Sequence, residues 1–330
     1  MYARILVPLD GSDMAEQVLP YVRQIGKSLR VPVEFLRVIE PMNPDMEGVS
    51  FRPSTGYPTT SESSGVQRTT EISGPRGPFL DQIVASLSSH AQDYLEHLAA
   101  VARHGGLDVS TSVHEGMPAY YIVEEAHKES STLIAMTTHG RSGVTRWLLG
   151  SVTDKVLHAT SNPLLLVSSR DHIGASADVK LTTVIVPLDG SDLAEQVLPH
   201  AVSLANALSL KVLLVRVTPL AADYYRYTDY SVGAYYDYSA GVDAAALEYL
   251  HGINQRLQGQ QIISVEERLL HGNPAAAIVD LAKEVTGTVV AMTTHGRSGV
   301  GRWVLGSVAD RVVCHCGNPV LIVRSMASIS

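Results

Sequence analysis

Two nearly identical stretches carry the residues of this chain that are best suited to bind an anion. Residues 136–151 read MTTHGRSGVTRWLLGS, and residues 292–307 read MTTHGRSGVGRWVLGS. In each copy a short apolar run comes first, glycines follow, and helical spacing begins after the last glycine. A glycine loop that opens a helix presents backbone N–H groups at the positive end of the helix dipole, which favours phosphate. The sequence therefore predicts two phosphate sites.

The residues that would line phosphate occupy matching positions in the two copies. They are Gly140, Arg141, Gly143, Gly150 and Ser151 in the first copy, and Gly296, Arg297, Gly299, Gly306 and Ser307 in the second. An arginine can pair with phosphate through two parallel hydrogen bonds, although an exposed loop arginine is the simpler alternative. Ser151 could also serve only as a helix N-cap, because Asp154 follows at the spacing of a capping box.

Two aspartates could contact the sugar of a nucleotide. Asp10 and Asp189 each follow a strand-like apolar run and begin an Asp-Gly-Ser sequence. A carboxylate accepts hydrogen bonds from ribose hydroxyls, and a role in forming the turn alone is the alternative. After the first of these turns, Asp13 and Glu16 have the spacing of a second capping box, which predicts a helix that runs to Leu29.

The surrounding elements predict how these residues are positioned. Strands are expected at 4–9, 33–38, 107–113, 132–136 and 163–167, with helices between them, including one over 79–104. The second half repeats this order, which indicates a tandem duplication. We therefore predict an α/β fold of two open, five-stranded parallel, Rossmann-like sheets. The expected domains are 1–169 and 181–330, joined by a linker at 170–180.

Open parallel sheets bind ligands beyond the carboxyl ends of their strands, where the strand order reverses. Several candidate residues fall at such predicted ends, which supports one crevice in each half. They are Asp10, Val38, Gly116 and Gly140 in the first half, and Asp189, Val217, Gly272 and Gly296 in the second.

Each half is also expected to contain one long loop. Residues 42–78 are rich in Ser, Thr, Pro and Gly, so we expect this segment to be mobile or to cover the first site. Residues 220–241 are rich in tyrosine. Tyrosine gives contact area at a small loss of entropy, so this loop is interpreted as a lid, a binding surface or an ordinary loop.

Charge and composition exclude several classes of protein. The 330 residues carry a net charge of −8, which gives no electrostatic support for nucleic-acid binding. No apolar run has the length of a membrane helix, and the first residues do not resemble a signal peptide. The chain has only 2 cysteines, so a disulfide framework is not expected. These features together lead us to expect a cytoplasmic location.

Three further features are expected to be structural. His139 and His295 have no carboxylate or nucleophile at a recognisable spacing. Trp147 and Trp303 are interpreted as anchors that pack the loop or a subunit contact. Cys314, His315 and Cys316 resemble a fragment of a metal site. Residues two apart on a helix point away from each other, however, so no metal is expected there.

The chain resembles the universal stress protein family, and in particular its tandem two-domain members. The nucleotide-binding branch of that family carries the pattern G-x2-G-x9-G-[S/T]. Gly140 and Gly150-Ser151 match its second and third glycines, as do Gly296 and Gly306-Ser307. Thr137 and Thr293 stand at the position of the first glycine.

The resemblance implies a role for each matching residue. Asp10 and Asp189 would contact the adenosine, the backbone at Val38 and Val217 would bind the adenine edge, and the glycine loops would bind the phosphates. The ligand would be ATP, ADP or AMP, with or without Mg²⁺. Family members pair their fifth strands as dimers, so 163–167 would pair with 319–323 within this chain, and a further homodimer is compatible with this.

Three functions are considered. The resemblance favours an adenine-nucleotide-binding, stress-response binder or regulator with an unidentified protein partner and at most slow ATP hydrolysis. The second is an enzyme with the same adenine-nucleotide fold, such as an adenylyl-transferring synthetase or an ATP pyrophosphatase. Such enzymes carry an SGGxDS loop or HIGH and KMSKS motifs, which are missing from the sequence. An interaction module without nucleotide is the third, with Thr137 and Thr293 as its sequence support.

Overall fold

The computed structural model describes residues 2–40, 78–139, 149–168, 174, 177–219, 232–260, 262, 264–295 and 305–325. The first half contains five strands and five helices within these ranges. The strands are β1 (Arg4–Pro8), β2 (Val33–Ile39), β3 (Val109–Glu115), β4 (Thr132–Thr137) and β5 (Leu164–Val167). The helices are α1 (Asp13–Glu16), α2 (Leu19–Leu29), α3 (Pro78–His104), α4 (Pro118–His127) and α5 (Ser151–Ala159).

The described part of the second half repeats the same order. Its strands are β6 (Thr183–Pro187), β7 (Lys211–Thr218), β8 (Val265–His271), β9 (Thr288–Thr293) and β10 (Val320–Val323). Its helices are α6 (Asp192–Glu195), α7 (Leu198–Leu208), α8 (Val232–Leu257), α9 (Pro274–Glu284) and α10 (Ser307–His315). The tandem α/β fold is confirmed, but the single helix predicted from Asp13 to Leu29 is divided into α1 and α2.

The ten strands form one continuous sheet in the order β3-β2-β1-β4-β5-β10-β9-β6-β7-β8. Within each half all neighbouring strands are parallel. At the centre, β5 and β10 are antiparallel, with Leu165 opposite Leu321. The pairing of the fifth strands within one chain is therefore confirmed.

Helices cover both faces of the sheet because its central strands are apolar on both sides. Every residue of β4 and β9 is buried, as expected for strands inside a parallel sheet. One core lies between the sheet and α2, α3, α7 and α8, and the other lies between the sheet and α4, α5, α9 and α10. Both cores continue across the central pair of strands, so the two halves share them.

Two sequence predictions about helix starts are wrong. The N-cap of α1 is Ser12, whose hydroxyl accepts from the Ala15 N–H, so Asp13 does not begin a capping box. The N-cap of α5 is Gly150, and Ser151 is already the first helical residue. A serine can cap only when its own backbone remains extended, and here the chain turns one residue earlier.

The predicted tyrosine-rich loop 220–241 is too long, because α8 begins at Val232. Residues Ala246, Leu250, Ile253 and Leu257 are buried and share one face of this helix. Packing of this buried face stabilises the helix. The helix therefore extends towards its N-terminus into a segment whose glycines favour a loop. The predicted loop 42–78 lies outside the described residues, except that Pro78 already belongs to α3.

No described helix is long and apolar enough to cross a membrane.

Candidate functional site

The strand order reverses between β1 and β4 in the first half, and candidate residues lie beyond the carboxyl ends on both sides of that point. Asp10 follows β1, and Val38 lies near the end of β2. The Gly116 N–H donates to the Ile39 carbonyl at 2.9 Å, which fixes the end of β3 beside β2. The second half brings Asp189, Val217 and Gly272 together in the same way.

Asp10 forms a tight turn at the end of β1. Its Oδ1 accepts from the Ser12 N–H at 3.0 Å and from the Ser12 hydroxyl at 2.6 Å. The Ser12 hydroxyl in turn caps α1. Asp189 and Ser191 repeat this turn with the same distances. The turn-forming role of both aspartates is therefore present, and it fixes where their carboxylates lie.

Gly150 and Gly306 bring the start of a helix against the end of a strand. The Gly150 N–H donates to the Thr138 carbonyl, and the Gly306 N–H donates to the Thr294 carbonyl, both at 2.8 Å. A Cβ atom on Gly150 would lie 3.1 Å from the Thr138 oxygen, and one on Gly306 would lie 2.8 Å from the Thr294 oxygen. Glycine is needed here for close approach, since φ is near −60° at both positions.

The N-termini of α5 and α10 differ from those of α1, α6 and α9 in their capping. In the described part of the chain, no side chain caps the N-terminus of either helix. Serine hydroxyls cap α1 and α6, and the Asn273 side chain caps α9. Ser151 and Ser307 are exposed in the first turns of α5 and α10. Such N-termini can supply backbone N–H donors and a positive dipole to an anion.

Thr137 and Thr293, which replace the first motif glycine, have a specific contact. Each hydroxyl donates to the carbonyl two residues later, on His139 or His295, at 2.7 Å. The threonines therefore tie down the start of the glycine loop. The imidazole Nδ1 of His139 lies 3.1 Å from the Thr138 hydroxyl, and His295 makes the same contact with Thr294 at 3.2 Å. These contacts fit the expected structural role.

Several predicted residues lie outside the described residues. They are Gly140, Arg141, Gly143, Gly296, Arg297, Gly299, Trp147 and Trp303, together with the tyrosines before residue 232. Their expected roles stay predictions.

Cys314 and Cys316 are not joined in a disulfide bond, and burial raises the pKa of the Cys316 thiol. Within the described ranges, no group of three or more His, Cys, Asp and Glu side chains gathers as metal ligands would.

One difference between the two crevices was not predicted. The Thr218 hydroxyl, at the end of β7, donates to Asp243 Oδ1 at 2.8 Å and lies 2.9 Å from His271 Nδ1. Ile39 and Glu115 occupy the positions of Thr218 and His271 in the first half. Alignment of the two halves would have shown that Thr218 replaces an isoleucine and that His271 replaces a glutamate.

The structure also contains a cluster that sequence reasoning missed, next to each aspartate turn. The Arg37 guanidinium lies over the Tyr94 ring, and the Tyr94 hydroxyl donates to Glu16. Arg216, Tyr249 and Glu195 make the same contacts in the second half. A repeated arginine before the end of the second strand was the available signal.

Comparison with known proteins gives consistent findings. The model of the Universal stress protein family matches residues 1–168 and again residues 180–324. A universal stress protein of Mycolicibacterium smegmatis is 26% identical over 259 residues, which cover 77% of this chain and 83% of that protein. Universal stress protein MJ0531 of Methanocaldococcus jannaschii is 29% identical over 167 residues, covering 51% of this chain and 82% of the relative.

A solved structure supports the fold along the whole chain. The universal stress protein from Archaeoglobus fulgidus aligns with a TM-score of 0.65 and 20% identity, covering 98% of this chain and 99% of that one. At this identity the likeness concerns the fold. The family match covers nearly all residues in two consecutive copies. The chain therefore belongs to the universal stress protein family, with two of its domains in tandem.

Proposed function

We propose that each half binds one adenine nucleotide and that the protein acts as a nucleotide-dependent binder or regulator in the stress response. The observation that carries this proposal is the close approach of Gly150 to Thr138, and of Gly306 to Thr294. It leaves a helix N-terminus, which no described side chain caps, beside the strand-order reversal in each half. Backbone N–H groups at such a position suit the phosphates of a nucleotide.

The remaining groups of each crevice would hold the nucleoside. The Asp10 and Asp189 carboxylates would accept hydrogen bonds from ribose hydroxyls. The backbone at Val38 and Val217 would bind the adenine edge, while Arg141 and Arg297 would pair with the phosphates. Mg²⁺, where present, would neutralise phosphate charge. The proposed location is the cytoplasm, where adenine nucleotides are abundant.

Binding without efficient turnover is the expected behaviour. Hydrolysis of ATP at ordinary enzymatic rates needs a placed base or a nucleophile–base pair. The imidazoles of His139 and His295 lie against neighbouring threonine hydroxyls instead. We expect turnover far below the range of about 1–1000 per second that is typical of enzymes.

The test is calorimetric titration of the purified protein with ATP and ADP, with and without Mg²⁺, after native mass spectrometry has identified any bound nucleotide. Two sites per chain are expected. Asp10→Asn keeps an oxygen acceptor for Ser12 but replaces the other carboxylate oxygen by an amide, so it should weaken the first site about tenfold, a change of about 1.4 kcal/mol.

Asp189→Asn is the matched variant for the second site. Each variant should leave the other half unchanged. No binding to the wild-type protein would refute nucleotide binding and would favour the interaction module. Rapid multiple turnover would favour the enzyme.

A further inference from the structure

The side chain of Arg37 is held between the first aspartate turn and an aromatic ring. Gly11, the residue after Asp10, has a φ of +83°, and a Cβ there would lie 3.1 Å from both terminal nitrogens of Arg37. On its other side, Arg37 Cζ lies 5.0 Å from the centroid of the Tyr94 ring. The planar guanidinium therefore stacks between a glycine backbone and a tyrosine face, an arrangement that suits arginine better than lysine.

The contacts continue from the ring back to the same turn. The Tyr94 hydroxyl donates to Glu16 Oε1 at 2.9 Å, and Glu16 belongs to α1. Burial, followed by the charge of Glu16, raises the pKa of Tyr94, so its hydroxyl stays protonated as the donor. Helix α1 is capped by Ser12, which also holds the Asp10 carboxylate. These contacts thus form a closed ring that joins the turn, α1, Tyr94 and Arg37. We call this group of residues the arginine clamp.

The second half contains the same arginine clamp. Gly190 has a φ of +85°, and a Cβ there would lie 2.8 Å from Arg216 Nη1. Arg216 Cζ lies 4.8 Å from the centroid of the Tyr249 ring, and the Tyr249 hydroxyl donates to Glu195 Oε1 at 3.0 Å. Residues close by have diverged, as Ile39 and Thr218 do at the strand end next to the arginines. The clamp is therefore present in both halves, together with the Asp-Gly-Ser turn that it contacts.

Arg37, the central residue of the clamp, lies on the side of β2 that faces α2 and α3. Val33 and Phe35 of β2 belong to the core on the α2 and α3 face, and Arg37 follows them at the same strand alternation. Val38, whose backbone is proposed for the adenine edge, is the next residue. One residue thus fixes the turn that carries Asp10 relative to the strand end that would hold the base.

We propose that Arg37 and Arg216 are positioning residues, which hold the carboxylates of Asp10 and Asp189 at the ribose of a bound nucleotide. This inference rests on the proposed nucleotide binding. It predicts that loss of the guanidinium weakens recognition of the nucleoside while recognition of the phosphates is maintained.

The experiment compares Arg37→Met and Arg216→Met in the full chain by calorimetric titration with ADP and with inorganic tripolyphosphate. Each variant should weaken ADP binding about tenfold at one of two sites and change tripolyphosphate affinity less than twofold. A general structural loss would weaken both ligands together. Arg23→Met is the matched control, because Arg23 lies on α2 and donates to the Ala177 carbonyl, away from the clamp.

Two further measurements keep the inference open to refutation. Hydrogen exchange should become faster at the Ser12 N–H in Arg37→Met, and Tyr94→Phe, which keeps the ring and loses only the bond to Glu16, should have a smaller effect. If Arg37→Met does not fold, Arg37→Lys decides, because it keeps the charge without the planar stack. At least threefold weaker ADP binding by the lysine variant supports the clamp.

The outcomes separate the two proposals. If the wild-type chain binds no adenine nucleotide, the proposed function fails, and the positioning role falls with it. If the wild-type chain binds ADP at two sites and a folded Arg37 variant binds it equally well, only the positioning role is overturned.

Discussion

The two glycines that precede α5 and α10 provide a matched pair of substitutions within one protein. Gly150 and Gly306 have the same φ and the same backbone hydrogen bond, but their clearance differs. A Cβ on Gly306 would lie 2.8 Å from the Thr294 oxygen, closer than real Cβ contacts. On Gly150 the distance to the Thr138 oxygen would be 3.1 Å, which a shift of a few tenths of an ångström relieves. Gly306→Ala should therefore destabilise more than Gly150→Ala.

The magnitude follows from three contributions at Gly306. Overpacking against a backbone atom costs about 1–3 kcal/mol. Weakening of the hydrogen bond to Thr294 adds up to about 1 kcal/mol. Replacing glycine by alanine at a compatible φ stabilises the protein by about 0.4–1 kcal/mol, because alanine reduces the conformational entropy of the unfolded chain. We expect a net loss of about 1–3 kcal/mol for Gly306→Ala, and of about 0–1 kcal/mol for Gly150→Ala.

Hydrogen exchange with mass spectrometry checks this prediction, because peptides covering α5 and α10 report the two helix starts separately. Gly306→Ala should speed exchange in α10 and leave α5 unchanged, while Gly150→Ala should have a small effect on α5. The second site should also lose nucleotide affinity, since the helix N-terminus has to move away from the strand. Equal or reversed effects of the two variants would refute the argument from close approach.

Three other predictions concern the junction of the halves and the second crevice. Leu165 lies in the middle of the fully buried β5–β10 pair, so Leu165→Ala should lower the free energy of unfolding by about 2–5 kcal/mol. Hydrogen exchange should become faster in the strands of both halves. An effect confined to the first half would contradict a shared core. Burial lowers the pKa of His200, which contacts Tyr2 across the two halves, to about 4, so the neutral form is favoured in the folded protein. The stability that neutral His200 contributes should be fully present above pH 6.5, the pKa in the unfolded state, and should be lost as the pH falls towards 4. Urea unfolding of the wild type and of His200→Gln at each pH should show that the variant loses less stability in acid. Thr218→Val should change ligand affinity at the second crevice only, because Ile39 already occupies this position in the first, and titration of both sites would reveal any effect on the first.

The sequence was sufficient to predict the fold because its strongest signals are local and occur twice. The run Thr132–Thr137 is apolar and short, and its repeat at Thr288–Thr293 gives the same result. The ends of elements were harder to predict, since Gly150 and Ser151 are both plausible caps and only the path of the backbone decides between them. The close approach of Gly150 to Thr138, which leaves little room for a Cβ atom, was not predicted from the sequence.

The arginine clamp could not be derived from spacing, for a different physical reason. Gly11, Arg37 and Tyr94 are brought together by the sheet and by α3, across a segment of the chain that carries no pattern linking them. Contacts between residues this far apart depend on the crossing of elements, which hydrophobic periodicity does not specify. The polar group around Thr218 likewise depends on where α8 crosses the end of β7.

Because β5 and β10 are antiparallel, the carboxyl ends of the strands point in opposite directions in the two halves. Strands of the first half end at one edge of the sheet, and strands of the second half end at the other. The linker leaves β5 and enters β6 on the first of these edges, where the Leu181 N–H donates to Gln24 Oε1. The chain leaves β10 on the second edge, where the Ser325 N–H donates to the Thr294 hydroxyl. The two crevices therefore lie at opposite ends of the strands, each beside a different segment of the chain.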